Sequence, residues 1–266
     1  MSRHACFVRQ AAVKALEELG QHGAPETARS LTAILADDCG AVREASVRAL
    51  GNLGEHAVPH ASAMAALLQD QEMGVRLASC EALGRLGPRA APWADAIAHL
   101  LRSDECIDCK QAALAALVDV GEGGVAHAEA MAILLRDDST YVRLAAVAAL
   151  GKLGGTHAGP HIGEMAALLL DENMEVRWEA VEALGNIEGH SEVCSGAIAT
   201  MLQDEFCEVR LAAVEALGKL GEHAGAHVTA MSTLLEDEDR FVRRAAIDSL
   251  THLGWMEWME TTTQTT

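Results

Sequence analysis

Aromatic side chains make up only 3 % of this 266-residue chain, and basic residues number 20 against 39 acidic ones. No apolar run approaches the ~18 residues that a membrane span needs. Each scarcity excludes something. With few aromatics, the apolar half of the chain is Ala, Leu, Val and Met, which suits closely packed helices. A net charge of -19 opposes contact with phosphate backbones, which demand clustered Lys and Arg, so no nucleic-acid partner is expected. The opening residues Met1 to Cys6 lack the apolar core of a signal peptide. A glycine-rich phosphate loop and a nucleophile elbow are missing as well. Seven cysteines (6, 39, 80, 106, 109, 194 and 207) are an odd number at irregular places. They read as reduced thiols in a cytoplasmic compartment, not as a disulfide framework.

What is present is one phrase written eight times: Val-Arg, two small residues, Ala-Leu, then usually Gly-x-Leu-Gly. The Val position falls at 8, 42, 75, 109, 142, 176, 209 and 242, in steps of 33 or 34 residues, with Cys109-Lys110 replacing Val-Arg once. A period of this length marks a solenoid of stacked units. In the unit 42–70, Val42, Ala45, Ser46, Ala49, Leu50 and Leu53 share one helical face. Leu recurs at the Leu50 position in all eight repeats, preceded by Ala or, once, Ser249. Gly54 and its equivalents Gly20, Gly87, Gly121, Gly154, Gly221 and Gly254 are expected to end that helix at positive φ. A second helix then runs from about Pro59 or His60 to Gln69, with Met64, Leu67 and Leu68 inward. Each repeat is thus a helical hairpin, the last one incomplete. The array is expected to form one domain over 1–259, followed by a disordered polar tail, 260–266.

The Asp, Val-Arg, Ala-Ala, Ala-Leu-Gly pattern resembles HEAT repeats, of the short variety also found in phycobilisome-lyase-like proteins. The resemblance implies an all-α fold, a right-handed α-α superhelix of about eight hairpins. It also implies a structural ladder of carboxylate–guanidinium contacts between successive repeats. The acids would be Asp37, Asp70, Asp104, Asp137, Asp171, Asp204 and Asp237. The bases would be Arg43, Arg76, Lys110, Arg143, Arg177, Arg210 and Arg243. Bidentate Arg–carboxylate pairing suits such a role. Arg9 has no Asp before it and is left out.

Histidines recur in columns (His22, His56, His157, His190 and His223; His60, His127, His161 and His227), which favours packing over catalysis. Cys106-x-x-Cys109 is the only metal or redox spacing, and no second pair completes a zinc set. No metal or cofactor is therefore expected, with Cys106 and Cys109 the weak candidates. HEAT-type deoxyhypusine hydroxylases hold di-iron with His-Glu dipeptides, and this chain has none.

The function expected is a non-catalytic scaffold binding a protein or peptide through a concave second-helix face and an acidic edge. A metal-dependent hydroxylase-like or bilin-lyase-like enzyme is the alternative. Nineteen carboxylates fall in the loops between repeats, twelve of them outside the ladder. That edge, with Asp38, Asp138, Glu172, Glu205, Glu238 and Asp239, would favour a basic partner. Glu129 and Glu164 represent the second-helix face. Trp255 and Trp258 would close the stack or anchor a neighbour. Both ends depart from the repeat pattern, as in a piece of a longer array or a subunit of a larger assembly.

Overall fold

A computed structural model describes residues 3–255, with side chains from 5–18 and 25–255. The described residues contain helices and turns and no strand, so the fold is all-α. Two compact units divide at Met131 and Ala132.

The first unit holds α1 (Arg3–Ile34), α2 (Gly40–Gly51), α3 (Ala61–Ala66), α4 (Met73–Arg85), α5 (Ala94–Ser103), α6 (Ile107–Asp119) and α7 (Glu122–Val125), and ends within α8 (Ala128–Ile133). Along it α1, α2, α4 and α6 pack in sequence, each on the next. The second unit holds α9 (Thr140–Leu153), α10 (Gly155–Ala158), α11 (Ile162–Ala167), α12 (Met174–Gly185), α13 (Ser191–Ala199), α14 (Cys207–Leu220), α15 (Val228–Ser232) and α16 (Arg240–His252). Here α9, α12, α14 and α16 form the equivalent row. Most second helices are short and continue as a 3-10 turn, as Leu67–Gln69 continues α3, whereas α5 runs to Ser103 without one.

The rows are tight because their contact faces carry almost no side chain. A Cβ placed on Gly151 of α9 would lie 2.8 Å from the Ala183 Cβ of α12, and one on Gly185 2.8 Å from Ala216 of α14. The first Gly of Gly-x-Leu-Gly thus faces the Ala of Ala-Leu in the next repeat. Beneath this seam Leu50, Leu83, Leu117, Leu150, Leu184, Leu217 and Leu250 are fully buried. Each such leucine contributes ~1.5–3 kcal/mol through removal from water.

Two expectations need correcting. Helical backbone continues through Gly20, so that glycine does not end a helix. A straight helix would separate residues 9 and 34 by ~38 Å, yet Arg9 hydrogen-bonds Asp37 at 2.7 Å. Helix α1 is therefore sharply bent, and Gly20, Gly23 and Pro25 are the residue types at which helices bend. The other six named glycines do have φ from +56° to +77°, and Gly189, which the pattern did not single out, joins them at +78°. There the sequence reads Gly-Asn-Ile-Glu-Gly, and the turn glycine comes one residue late.

The cysteines are not uniformly reduced, since Cys6 and Cys39 form a disulfide with Cα atoms 6.3 Å apart. They lie two and three residues before the Val positions of adjacent repeats, and stacking brings these two places within bridging reach. Counting cysteines within one repeat hides that pairing. Cysteine usage consequently no longer argues for a reducing compartment. No described helix is long and apolar enough to cross a membrane.

Candidate partner-binding surfaces

The loops between repeats are built by one aspartate and one arginine. Asp70 accepts a hydrogen bond from the Glu72 N–H at 2.9 Å, the local turn that a short carboxylate favours. Arg43, from the repeat before, donates through Nε and Nη2 to the two Asp70 oxygens at 2.8 and 2.7 Å. Its Nη1 meanwhile donates to the carbonyl of Asp37, at 2.7 Å. One guanidinium therefore clamps the loops on both sides of its own helix.

The same fork joins Arg76 to Asp104 in the first unit, and Arg143 to Asp171, Arg177 to Asp204 and Arg210 to Asp237 in the second. Arg9, which the Asp-before-Arg reading omitted, forks onto Asp37 because the carboxylate partner lies in the following loop. Arg243 donates to the carbonyls of Asp237 and Glu238. Lys110 and Asp137 occupy the remaining places in the two sequence columns.

The aspartates respond to their surroundings in a consistent direction. Hydrogen bonding from Arg210 holds the Asp237 carboxyl below the usual carboxylate range, against the opposing effect of burial. For Asp204 burial is the largest influence and pushes upward. The Arg177 fork, the Phe206 N–H and the neighbouring positive charges together outweigh it, so the pKa is still lowered. Anion capture is closed to these arginines, whose donors already face carboxylates and carbonyls.

The remaining edge carboxylates stand outward. Asp38, Asp138, Glu172, Glu205 and Glu238 are exposed. Glu205 lies 3.7 Å from Arg177 and Glu238 3.5 Å from Arg210, so both flank clamps without being needed by them. Asp239 has a second task, accepting from the Phe241 and Val242 N–H groups as the N-cap of α16. On the second helices Glu129 is exposed and Glu164 half-buried. Trp255 is half-buried, while Trp258 and the tail 260–266 lie outside the described residues.

Two histidines of the other columns make contacts within the fold. His127 packs with little exposure 3.3 Å from Asp95, and the His190 ring lies against the backbone of Gly159, where even a Cβ would collide with it. Cys109 is buried, and burial, together with the adjacent Cys106 thiol and Asp104, pushes its thiol up to about 12. Cys80 is raised further, chiefly by burial. Neither supplies a ready thiolate. Among the described residues no group of three or more His, Cys, Asp or Glu is placed to hold a metal ion.

Helical hairpins stacked in sequence within each unit, with first helices seamed by Gly on Ala and loops clamped by arginines, define an all-α helical-repeat protein. A model of HEAT repeats matches residues 29–118, 127–198 and 195–260, and the chain belongs to the HEAT-repeat family. No curated protein matches it. Among solved structures it is similar to Kap95p, whose binding induces the switch loops of RanGDP to adopt the GTP-bound conformation. That likeness has a TM-score of 0.62 at 17 % identity and covers 86 % of this chain and 34 % of that one. YibA of E. coli gives 0.53 at 18 % identity over 94 % and 97 % of the two chains. The complex of CpcE and CpcF of phycocyanin lyase from Nostoc sp. PCC7120 gives 0.45 at 23 % identity over 84 % and 89 %. The first two likenesses show the fold; the third is too low to carry an argument.

Proposed function

We propose that this chain is a non-catalytic protein-interaction scaffold whose acidic edge takes a basic, extended segment of a partner. The observation that carries the reading is the recurrence, along the second unit, of an exposed carboxylate directly after the loop aspartate: Asp138, Glu172, Glu205 and Glu238. Folding explains the loop aspartates, but it makes little use of these four. Stacked helices stand ~8–10 Å apart, and an extended chain rises ~3.3 Å per residue. A partner with Lys or Arg at every third position would therefore meet one such carboxylate per repeat. Such attraction is long-range and screened by salt. The second-helix face, with Glu129 and Glu164, is proposed as the neighbouring contact. Membership of the HEAT-repeat family supports the scaffold reading in general terms.

The test is fluorescence anisotropy of a labelled twelve-residue peptide with Lys at every third position, titrated with the full chain at low and high salt. Binding should weaken steeply with salt and fall about tenfold or more when Asp138, Glu172, Glu205 and Glu238 are together changed to Asn or Gln. Equal binding by that variant, or none by the parent at low salt, would refute the reading.

A further inference from the structure

The second unit carries a groove that the repeat pattern does not explain. It lies between α12 and α14, holds about 520 Å³, and has Met174, Trp178 and Leu211 on its floor. Four carboxylates surround that floor: Glu175 and Glu182 from α12, Glu208 and Glu215 from α14. Trp178 is 41 % exposed, although it is one of only four tryptophans in the chain.

The arrangement arises from two positions in each repeat. One precedes the Val by one residue, and the other follows it by six. In the repeats beginning at Val176 and Val209 both are glutamate. Elsewhere the pairs are Phe7/Lys14, Ala41/Arg48, Gly74/Glu81, Asp108/Ala115, Tyr141/Ala148 and Phe241/Asp248. Two adjacent repeats with acids at both positions make a square of glutamates, and the residue inside it on α12 is the sole tryptophan of its column. A role in folding would recur along the array, as the arginine clamps do. This one occurs once.

Among the described residues, one cation meets one corner of the square: Lys219 approaches Glu182 at 3.7 Å. Glu175, Glu208 and Glu215 form no ion pair among the described residues, and Glu208 accepts only from the Cys207 thiol, at 3.3 Å. The matching groove between α4 and α6 in the first unit is of similar volume, about 530 Å³. It contains its own cation, Arg85, and no aromatic residue.

We infer that the α12–α14 groove is a docking site for a single arginine or lysine side chain on a partner protein, flanked there by aliphatic residues. The chemistry is complementary at each point. A cation over the indole face of Trp178 is attracted by the ring, the alkyl stem covers Met174 and Leu211, and the charged head meets the free glutamates. The inference rests on the interaction-scaffold reading but uses a surface separate from the acidic edge.

The experiment titrates the full chain into two dye-labelled nonapeptides, one with Leu-Arg-Leu at its centre and one with Leu-Gln-Leu. The Arg peptide should bind about tenfold more tightly or better. Trp178→Ala, and separately Glu208→Gln with Glu215→Gln, should each abolish most of that difference. The glutamates are exposed, so the second variant keeps the test valid if the first folds poorly. Changing Asp138, Glu172, Glu205 and Glu238 should leave Arg-peptide binding unaltered. Equal binding of the two peptides, no binding of either, or loss through the edge variant but not the groove variants would overturn the inference. The last result would leave the acidic-edge reading standing, while loss through the groove variants alone would support the groove without bearing on the edge.

Discussion

Removing Asp204 should be among the most destabilising single changes available outside the apolar core. Its partner Arg177 is 9 % exposed at the side chain and Asp204 7 %, with forked bonds of 2.7 and 3.0 Å between them. Asp204→Ala leaves two guanidinium donors and the Phe206 N–H without their acceptor, inside a site that water barely reaches. Breaking a buried ion pair on one side costs ~3–5 kcal/mol. Glu205, 3.7 Å from Arg177, can swing in and recover part of this, so the expected loss is ~3 kcal/mol. The control is Asp248→Ala, which breaks an equally short contact, Arg244 to Asp248 at 2.9 Å, between side chains 75 % and 59 % exposed. Exposed helix pairs of that kind contribute only ~0.3–0.5 kcal/mol.

Urea unfolding followed by circular dichroism separates the two. With a slope of ~3 kcal/mol per M, Asp204→Ala moves the midpoint down by ~1 M and Asp248→Ala by less than ~0.2 M. Repeat arrays can unfold in parts. Amide exchange should accordingly show the loss centred on α12 and α14. Replacing both partners, Arg177→Met with Asp204→Leu, should recover much of the stability, because no buried charge is left alone. A loss below ~1 kcal/mol for Asp204→Ala, or equal losses for the two single variants, would refute the view that burial gives the clamps their strength.

Other consequences follow from the same structure. Because Asp37, Asp70, Asp104, Asp171, Asp204 and Asp237 all have folded-state pKa values below the ordinary 3.8, their stabilisation is complete above that value. It is lost as pH falls through the lowered folded values, so a pH series should place acid unfolding below ~pH 4, and resistance to pH 2 would contradict it. Two glycine substitutions should act in opposite directions: Gly163→Ala, in open space on α11, should stabilise by ~0.5–1 kcal/mol. Gly151→Ala, whose new Cβ would sit 2.8 Å from Ala183, should destabilise by ~1–3 kcal/mol, and thermal melting reads both signs. Thiol titration of denatured, unreduced protein should find five free thiols of seven. Cys6→Ser should cost up to ~3–4 kcal/mol from the 33-residue separation, with amide exchange rising in α1 and α2 and not in α12 to α16.

Helix positions, the buried Leu50 column and most of the turn glycines could be read from the chain, because they depend on contacts within one period of 33 or 34 residues. A 3.6-residue periodicity and a residue tolerating positive φ are local properties, and they survive translation into structure unchanged. The family could be read for the same reason. What the tertiary structure decided concerns neighbouring repeats. The direction of the arginine clamp, which brings Arg9 onto Asp37, depends on how far one loop lies from the next. The pairing of Cys6 with Cys39 depends on which helix ends stacking makes adjacent. Gly151 acquires its importance from Ala183, 32 positions away, and Trp178 its four glutamates from two helices at once. A period announces that units stack, but the offset between stacked units is set by side-chain volumes on both faces together, and that sum is evaluated only in three dimensions.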